Sequence, residues 1–222
     1  MTMKVPVITI DGPSGAGKGT VSRALAKKLG WHFLDSGAIY RSLALAVTQA
    51  AVDPNDIDAV VKIASSMELE FETNDPPRIL LNGREITDQI QSEECGSTAS
   101  KIAAYGPVRQ ALLQKQRDFR REPGLVADGR DMGTVVFPDA PYKIFLTASA
   151  EVRAKRRYKQ LKEKGADVNL ERLTKEIEER DRRDKERTEA PLIIPDGAVL
   201  IDSSDLTIDQ VIARCLDIVG GK

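Results

Sequence analysis

The sequence has little of what most metal and covalent chemistries require. It contains one histidine, His32, and two cysteines, Cys95 and Cys215, far apart and without the spacing of a metal site. His32 reads as structural, and the two thiols read as reduced, as in a cytoplasmic protein. There is no excess of charge of one sign. Lys+Arg 33 against Asp+Glu 34 leaves a net charge of -1, so no global basic field points to nucleic acid and no acidic tail points to a basic partner. No apolar run is long enough to cross a bilayer. The opening MTMKVPVITI lacks the apolar stretch and cleavage site of a signal peptide. Internal repeats and low-complexity segments are also missing. What remains is a chain of 222 residues, 41% hydrophobic, suited to one compact domain with a small insert.

Short apolar runs alternate with helical patterns. Residues 7–10 read as a strand with Pro6 at its entry, 31–34 as a second, and 125–127, 143–147 and 199–201 as three more of buried type. Val21, Leu25 and Leu29 recur at helical spacing, and Gly30 is placed to end that helix. A second helix is expected over 38–50, capped by Asp35 or Ser36. The alternation predicts an α/β fold with a parallel sheet of about five strands flanked by helices. One region breaks it. Leu69 and Phe71 alternate with charge, 74–77 is turn chemistry, 79–81 is apolar, and Asn82-Gly83 is a two-residue hairpin signal. This predicts a small antiparallel β insert. Helices are expected over 93–104 and 107–121, separated by Gly106-Pro107. The domain reading is one unit over 1–222: core 1–50 and 107–222, insert about 51–106, and a lid about 151–168.

The stretch GPSGAGKGT stands between the first strand and its helix. Gly12 and Gly17-Lys18 fit the phosphate-loop pattern, and so does the strand–loop–helix context. Such a loop uses glycines to bring backbone N–H groups onto phosphate oxygens, and the helix N-terminus adds partial positive charge. Residues Gly12, Pro13, Ser14, Gly15, Ala16, Gly17, Lys18, Gly19 and Thr20 are therefore candidates for ATP binding, with Lys18 reaching the β- and γ-phosphates. Gly19 occupies the usual Ser/Thr position, and the hydroxyl comes one residue later, at Thr20. Thr20 is the candidate Mg²⁺ ligand on that account. The GKGT variant resembles that of nucleoside monophosphate kinases.

Ligands of open parallel sheets bind beyond the carboxyl ends of the strands. The first strand is followed by Asp11 and the phosphate loop, the second by Asp35-Ser36-Gly37 with Tyr40 and Arg41, and the third by Asp128-Gly129-Arg130-Asp131-Met132-Gly133. Arg41, on a first helical turn where a cation is mildly unfavourable, is a candidate anion contact. Asp128 is placed to hold Mg²⁺ through water, and Arg130 to grip phosphate.

In NLERLTKEIEERDRRDKER, Asn169 is a helix cap, and Leu170, Leu173 and Ile177 form an apolar stripe. The same steps continue onto Arg180, Asp184 and Arg187, while Arg182, Arg183, Lys185 and Glu186 fall largely off the line. A charged extension of a core stripe must be paired or meet a ligand. Arg180 and Arg187 are candidate phosphate contacts. Asp184 either orients an arginine or accepts from a sugar hydroxyl. The region of Arg153, Arg156 and Arg157 is expected in a lid over ATP, with Arg157 as an ATP contact.

Taken in order, GPSGAGKGT, DSGAIYR, ADGRDMGTVVFPDAP, KIFL and ERDRRD resemble the bacterial cytidylate kinases, nearly end to end and including the insert. The resemblance implies a P-loop kinase fold. It also implies transfer of the γ-phosphoryl group of ATP to CMP, and usually dCMP, with Mg²⁺, in pyrimidine metabolism. By position, Ser36, Arg41 and Arg130 resemble contacts to the acceptor and its phosphate. Ser100, Arg109 and Asp131 resemble the set that reads cytosine. Arg180 and Asp184 resemble contacts near the ribose, and Arg187 a phosphate contact. Lys18, Arg130, Arg180 and Arg187 would then form the catalytic set. A carboxylate at Asp131 can accept from the cytosine amine, while Arg109 can donate to O2 and N3. The family often reads P-x-V-R before this arginine, and this chain reads Gly106-Pro107-Val108-Arg109. The expected partners are ATP, CMP and dCMP, for a cytoplasmic monomer that binds neither nucleic acid nor membrane. Two other readings remain open. A GTPase-like switch would need N-K-x-D and D-x-x-G motifs, and the chain lacks the first, which reads the base. A kinase for another acceptor, such as UMP, AMP or a small alcohol, would differ at Asp131 and Arg109.

Overall fold

The structure, a computed structural model, describes residues 4–72, 78–163, 165 and 167–220, with the side chain of Glu72 left aside. The turn expected at 74–77, the first three residues, and Lys164 and Ala166 of the expected lid lie outside the described residues. The chain runs β1 (Val7–Asp11), α1 (Lys18–Leu29), β2 (His32–Asp35), α2 (Ser36–Gln49), α3 (Ile57–Ser66), β3 (Leu69–Glu72), β4 (Arg78–Leu81) and β5 (Arg84–Glu85). A short 3-10 turn (Gln89–Gln91) follows, then α4 (Glu93–Ile102), α5 (Gly106–Arg117), β6 (Leu125–Gly129) and a π-helical turn (Met132–Val136). The chain ends with β7 (Tyr142–Thr147), α6 (Ala150–Glu163), α7 (Leu170–Glu186), β8 (Val199–Asp202) and α8 (Ile208–Gly220). It divides into two compact units, Met1–Leu34 with Arg117–Lys222, and Asp35–Gln116.

The larger unit is built on a five-stranded sheet in the order β2-β6-β1-β7-β8. β1 pairs parallel with both β6 and β7, and β7 pairs parallel with β8. Helices cover such a sheet on both faces, which is why β1 and β6 are buried throughout and carry Val7, Ile8 and Ile10, and Leu125, Val126 and Ala127. Ile8, Ile10, Val126, Ile144 and Leu146 meet Val21 and Leu25 of α1 and Val211 and Ile212 of α8 in one core. Each such side chain contributes about 1.5–3 kcal/mol by leaving water. This packing fixes the carboxyl ends of β1 and β6 side by side, with Asp11 opposite Gly129. The expected fold class, an α/β sheet of five strands with a small antiparallel insert, is the one observed. No helix among the described residues is long and apolar enough to cross a membrane.

The smaller unit packs α2 against α3 and α4 and carries the three-stranded antiparallel sheet β3-β4-β5. Asn82 and Gly83 both have positive φ, 49° and 75°, the backbone that a tight two-residue hairpin demands. Asp35, not Ser36, is the cap of α2: its Oδ1 accepts from the N–H of Ala38 at 2.9 Å. Several boundaries differ from expectation, among them that α2 spans Ser36–Gln49. β2 begins at His32, because the N–H of Trp31 is spent on closing α1 against Ala26. α4 stops at Ile102. Gly106 and Pro107 form the first turn of α5, which ends at Arg117 rather than 121. Proline costs little in a first turn, where its missing N–H has no helical partner to lose.

Candidate active site

The phosphate loop follows from the backbone that its glycines permit. Gly12, Gly15 and Gly17 have φ of 149°, 78° and 91°. A Cβ at Gly12 would lie 1.9 Å from the carbonyl oxygen of Leu146. The loop's carbonyls are taken up by side chains around it. Pro13 O accepts from Lys18 Nζ at 3.0 Å, Ser14 O from Arg153 Nη1 at 2.9 Å, and Ala16 O from Ser203 Oγ at 3.2 Å. The loop runs into the N-terminus of α1, where backbone amides and the helix dipole favour negative charge. Lys18 is buried, and its ammonium is 3.8 Å from Asp128 Oδ1 at the end of β6. A Cβ at Gly19 would stand 3.3 Å from Arg23 Nη2 and 3.4 Å from Asp128 Oδ2, close to both but without a hard clash. Thr20 is exposed on the first turn of α1.

The charged end of α7 belongs to the same unit. Leu173 and Asp184 are buried, Arg180 and Arg187 are half-buried, and Arg182, Arg183, Lys185 and Glu186 are exposed, as the stripe predicts. Asp184 Oδ2 accepts from Arg130 Nε at 2.8 Å. Burial works to raise the pKa of Asp184, but Arg130, Arg180 and Arg187 together outweigh it and hold the carboxyl below its usual range. Burial likewise works against the charge on Arg130, and Asp184, Asp128 and Asp181 more than restore it. Lys18, Asp128, Arg130, Asp184, Arg180 and Arg187 thus form one electrostatically linked group. Of the two roles open to Asp184, orienting an arginine is the one visible here. Arg187 ends α7 as its C-cap and donates from Nε to Ala190 O at 2.7 Å. Asp131 is buried beside Arg130, just before the π-helical turn.

The start of the helical arm is tied to its unit by two arginines. Arg153 is buried and fixed by Ala148 O, Ser14 O and both carboxylate oxygens of Asp181. Arg156 is held by Ser203 Oγ and Ser203 O. Both arginines tie the base of α6 to the body of its unit, while Arg157 lies half-buried on α6. Asp181, off the apolar stripe, carried no sequence signal for its pairing with Arg153.

In the smaller unit, Arg41 donates from Nη1 to Ile90 O at 2.8 Å and Ser92 O at 3.0 Å, and lies across Gly96, where a Cβ would meet its Nη2 at 2.6 Å. Ser36 is buried and donates to Gln116 Oε1 at 2.6 Å. Arg109 donates to Ala103 O at 3.1 Å with its guanidinium 5.7 Å from the ring centre of Tyr40, so Pro107 does not prevent its being held. Ser100 is buried, with no hydrogen-bond partner for its hydroxyl among the described residues. Gln116 and Gly96 were not legible as site supports. His32 is structural, donating to Glu122 O at 2.8 Å. The two cysteines are free and buried, and burial pushes the Cys215 thiol up to about 11.

The chain is 65% identical over 215 residues to a cytidylate kinase of Methylococcus capsulatus, covering 97% of each. It is 54% identical to one of Colwellia psychrerythraea over 100% of this chain and 99% of the relative, and 56% identical to one of Aeromonas salmonicida over 97% and 94%. Among solved structures, a shikimate kinase of Bacteroides thetaiotaomicron is similar at a TM-score of 0.49 and 13% identity, over 97% of this chain and 98% of that one, too distant to bear on function. The family described as cytidylate kinase matches residues 8–220. A match over nearly the whole chain, with relatives above half identity, places this protein in the cytidylate kinase family.

Proposed function

We propose that the chain transfers the γ-phosphoryl group of ATP to CMP, and also to dCMP, giving ADP and the nucleoside diphosphate. The observation that carries this reading is the linked group Lys18–Asp128–Arg130–Asp184 with Arg180 and Arg187. In the reaction an oxygen of the acceptor phosphate bonds to the γ-phosphorus as the bond to the β-phosphate oxygen breaks. That oxygen is already anionic near pH 7, since a phosphate monoester loses its second proton at about pH 6. No general base is needed. The protein's task is to bring polyanions together and neutralise charge that spreads over the migrating group. Lys18, Arg130, Arg180 and Arg187 are the cations for it, and Gly12 to Thr20 with Arg157 are assigned to ATP.

Ser36, Arg41 and Arg130 are assigned to the acceptor and its phosphate, Ser100, Arg109 and Asp131 to cytosine, and Arg180 and Asp184 to the ribose side. The orphaned Ser100 hydroxyl and the braced Arg109 support the base-reading assignment. The insert, about 51–106, serves the acceptor. The segment 151–168 serves as a lid that keeps water from ATP, pivoting on a base pinned by Arg153 and Arg156.

The residues fit Mg²⁺ held largely by phosphate and water. Asp128 stands beside Lys18 and Gly19, and no group of three or more His, Cys, Asp or Glu among the described residues could cage a metal alone. Asp128, through water, and Thr20 would hold the ion, which supplies neutralising charge on the β- and γ-phosphates. The near-neutral charge supports partners that are nucleotides rather than nucleic acid, the free thiols support a cytoplasmic location, and the chain is read as a monomer.

The test is ADP release with CMP, dCMP, UMP, AMP and a small alcohol as acceptors. CMP and dCMP are expected to be the fast ones. Equal turnover with UMP, an alternative the relatives do not favour, or ATP hydrolysis independent of any acceptor, would refute the assignment.

A further inference from the structure

Asp11 is the last residue of β1, immediately before the phosphate loop, and it is fully buried. None of the steps above uses it. Both of its carboxylate oxygens are nonetheless engaged. Oδ1 accepts from the N–H of Met132 and Oδ2 from the N–H of Gly133, each at 2.8 Å. These are the first two amides of the π-helical turn that follows Arg130 and Asp131. The first amides of a helical turn lack partners within it and are ordinarily capped by the side chain just before. Here Asp131 occupies that position and its side chain makes no capping bond. The cap is supplied by Asp11, 121 positions earlier in the chain. The turn is also closely packed: a Cβ at Gly129 would meet Met132 at 2.7 Å, and one at Gly133 would meet Thr9 Oγ1 at 2.9 Å.

We infer that Asp11 is a positioning residue that fixes the Gly129–Gly133 turn, and through it presents Arg130 and Asp131 to the acceptor. This rests on the acceptor-contacting role assigned above to those two residues. The energetics favour function over stability. A carboxylate in the core costs free energy unless fully paired. Burial raises the Asp11 pKa to about 7, in spite of the two amide bonds and Lys18, and with the charge of Asp131 adding to it. A core position that only had to be filled would be better served by an apolar residue.

The test uses the full chain with Asp11→Asn, Asp131→Ala and the double variant, and the best acceptor from the screen. Asp11→Asn keeps one acceptor and sets an NH₂ against the other amide. It is expected to raise KM for the acceptor about tenfold while changing KM for ATP less than about twofold. Hydrogen exchange at the Met132 and Gly133 amides is expected to accelerate. In the Asp131→Ala background, Asp11→Asn should add at most about twofold, because both act through one turn. A purely structural cap would lower Tm and leave both KM values of the folded enzyme alone, and that result overturns the proposal. Equal rises in the two KM values, or unchanged exchange at Met132 and Gly133, overturn it too. If Asp131→Ala leaves acceptor KM untouched while Asp11→Asn raises it, the base-reading role of Asp131 falls and Asp11 acts through Arg130. Should Asp11→Asn fail to fold, Asp11→Ser, with one short acceptor and no charge, carries the same measurements.

Discussion

Two turns lie side by side at the carboxyl ends of β1 and β6, and they are built on opposite plans. The turn after β1 is made of main chain. Its shape comes from three glycines at positive φ, and the anion binding proposed for it would come from amides and a helix terminus. The turn after β6 is made of side chains held from afar: Asp11 grips its amides, and Asp184 grips Arg130. The first plan suits a polyphosphate, which any ATP-using enzyme must hold alike. The second suits the part of the reaction that distinguishes one acceptor from another, since side chains can be exchanged without rebuilding the backbone.

The sharpest way to break the contrast is to add one methyl group to the first turn. Gly12→Ala would set a Cβ 1.9 Å from Leu146 O in a backbone region that L-residues avoid. The loop and β7 cannot both stay in place. ATP binding is expected to vanish and stability to fall by on the order of 4 kcal/mol or more. ATP titration and a thermal melt report both. Lys18→Met separates backbone from charge in the same loop: the protein should still fold, with a Tm lowered by the loss of Asp128's buried partner, while turnover falls by at least about a thousandfold. Wild-type-like turnover would remove Lys18 from the mechanism.

The counterpart in the second turn is Asp184→Asn. It keeps the shape and leaves Arg130 short of a charge partner. Removing one member of such a pair costs about 3–5 kcal/mol when fully buried, and less at Arg130, which keeps some access to solvent. Acceptor KM should rise about tenfold or more with ATP KM nearly constant. The pH dependence has a definite sign. The Asp184 pKa is lowered by folding, so its stabilisation is present above the unfolded carboxyl pKa and is lost as pH falls through the folded value. The Tm gap between wild type and Asp184→Asn should therefore close as the solution is acidified. A gap independent of pH would mean that Asp184 stabilises by shape alone.

The same division explains what could be read from the sequence. The first turn is local, so a nine-residue string with a strand before it and a helix after it sufficed. Asn82-Gly83 and Gly30 were legible for the same reason: one or two residues at positive φ decide each. The stripe on α7 was legible because period 3.6 carries Leu173 onto Asp184. The partners of these charges were not. Arg153 looked like one of several basic residues of a lid, and only the fold brings Asp181 and Ser14 to it. Gln116 beneath Ser36, Gly96 beneath Arg41 and Asp11 beneath the second turn are long-range contacts, and no periodicity encodes them.

Asp11 gives a pH dependence of opposite sign, which sharpens the comparison between its anchor and that of Asp184. Its folded pKa is raised from 3.8 to about 7. Between those values the unfolded chain releases a proton that the folded chain retains, so stability drains as pH rises from about 4 to about 7. Asp11→Asn is exempt from that loss. Its Tm relative to wild type should climb with pH across this window, by an amount worth a few kcal/mol at most, and then level off. A difference that is flat with pH would show that Asp11 is ionised throughout, fully compensated by its two amides.

The smallest expected effect lies where the two turns approach each other. Gly19 stands on the first turn of α1, and a Cβ there would lie 3.4 Å from Asp128 Oδ2 and 3.3 Å from Arg23 Nη2. The arginine contact is the far end of a flexible side chain that can give way. Against that crowding, alanine is favoured over glycine in a helix by up to about 1 kcal/mol. Gly19→Ala should thus be near neutral or slightly stabilising, with Tm changed by no more than a few degrees. Its effect on ATP should be modest, a rise in KM of about two- to fivefold, because the methyl group narrows the space beside Asp128 without touching the loop's amides. A loss of ATP binding as complete as that of Gly12→Ala would mean that the space between Gly19 and Asp128 must stay open for the ion. The metal would then belong to the space between the two turns rather than to either of them.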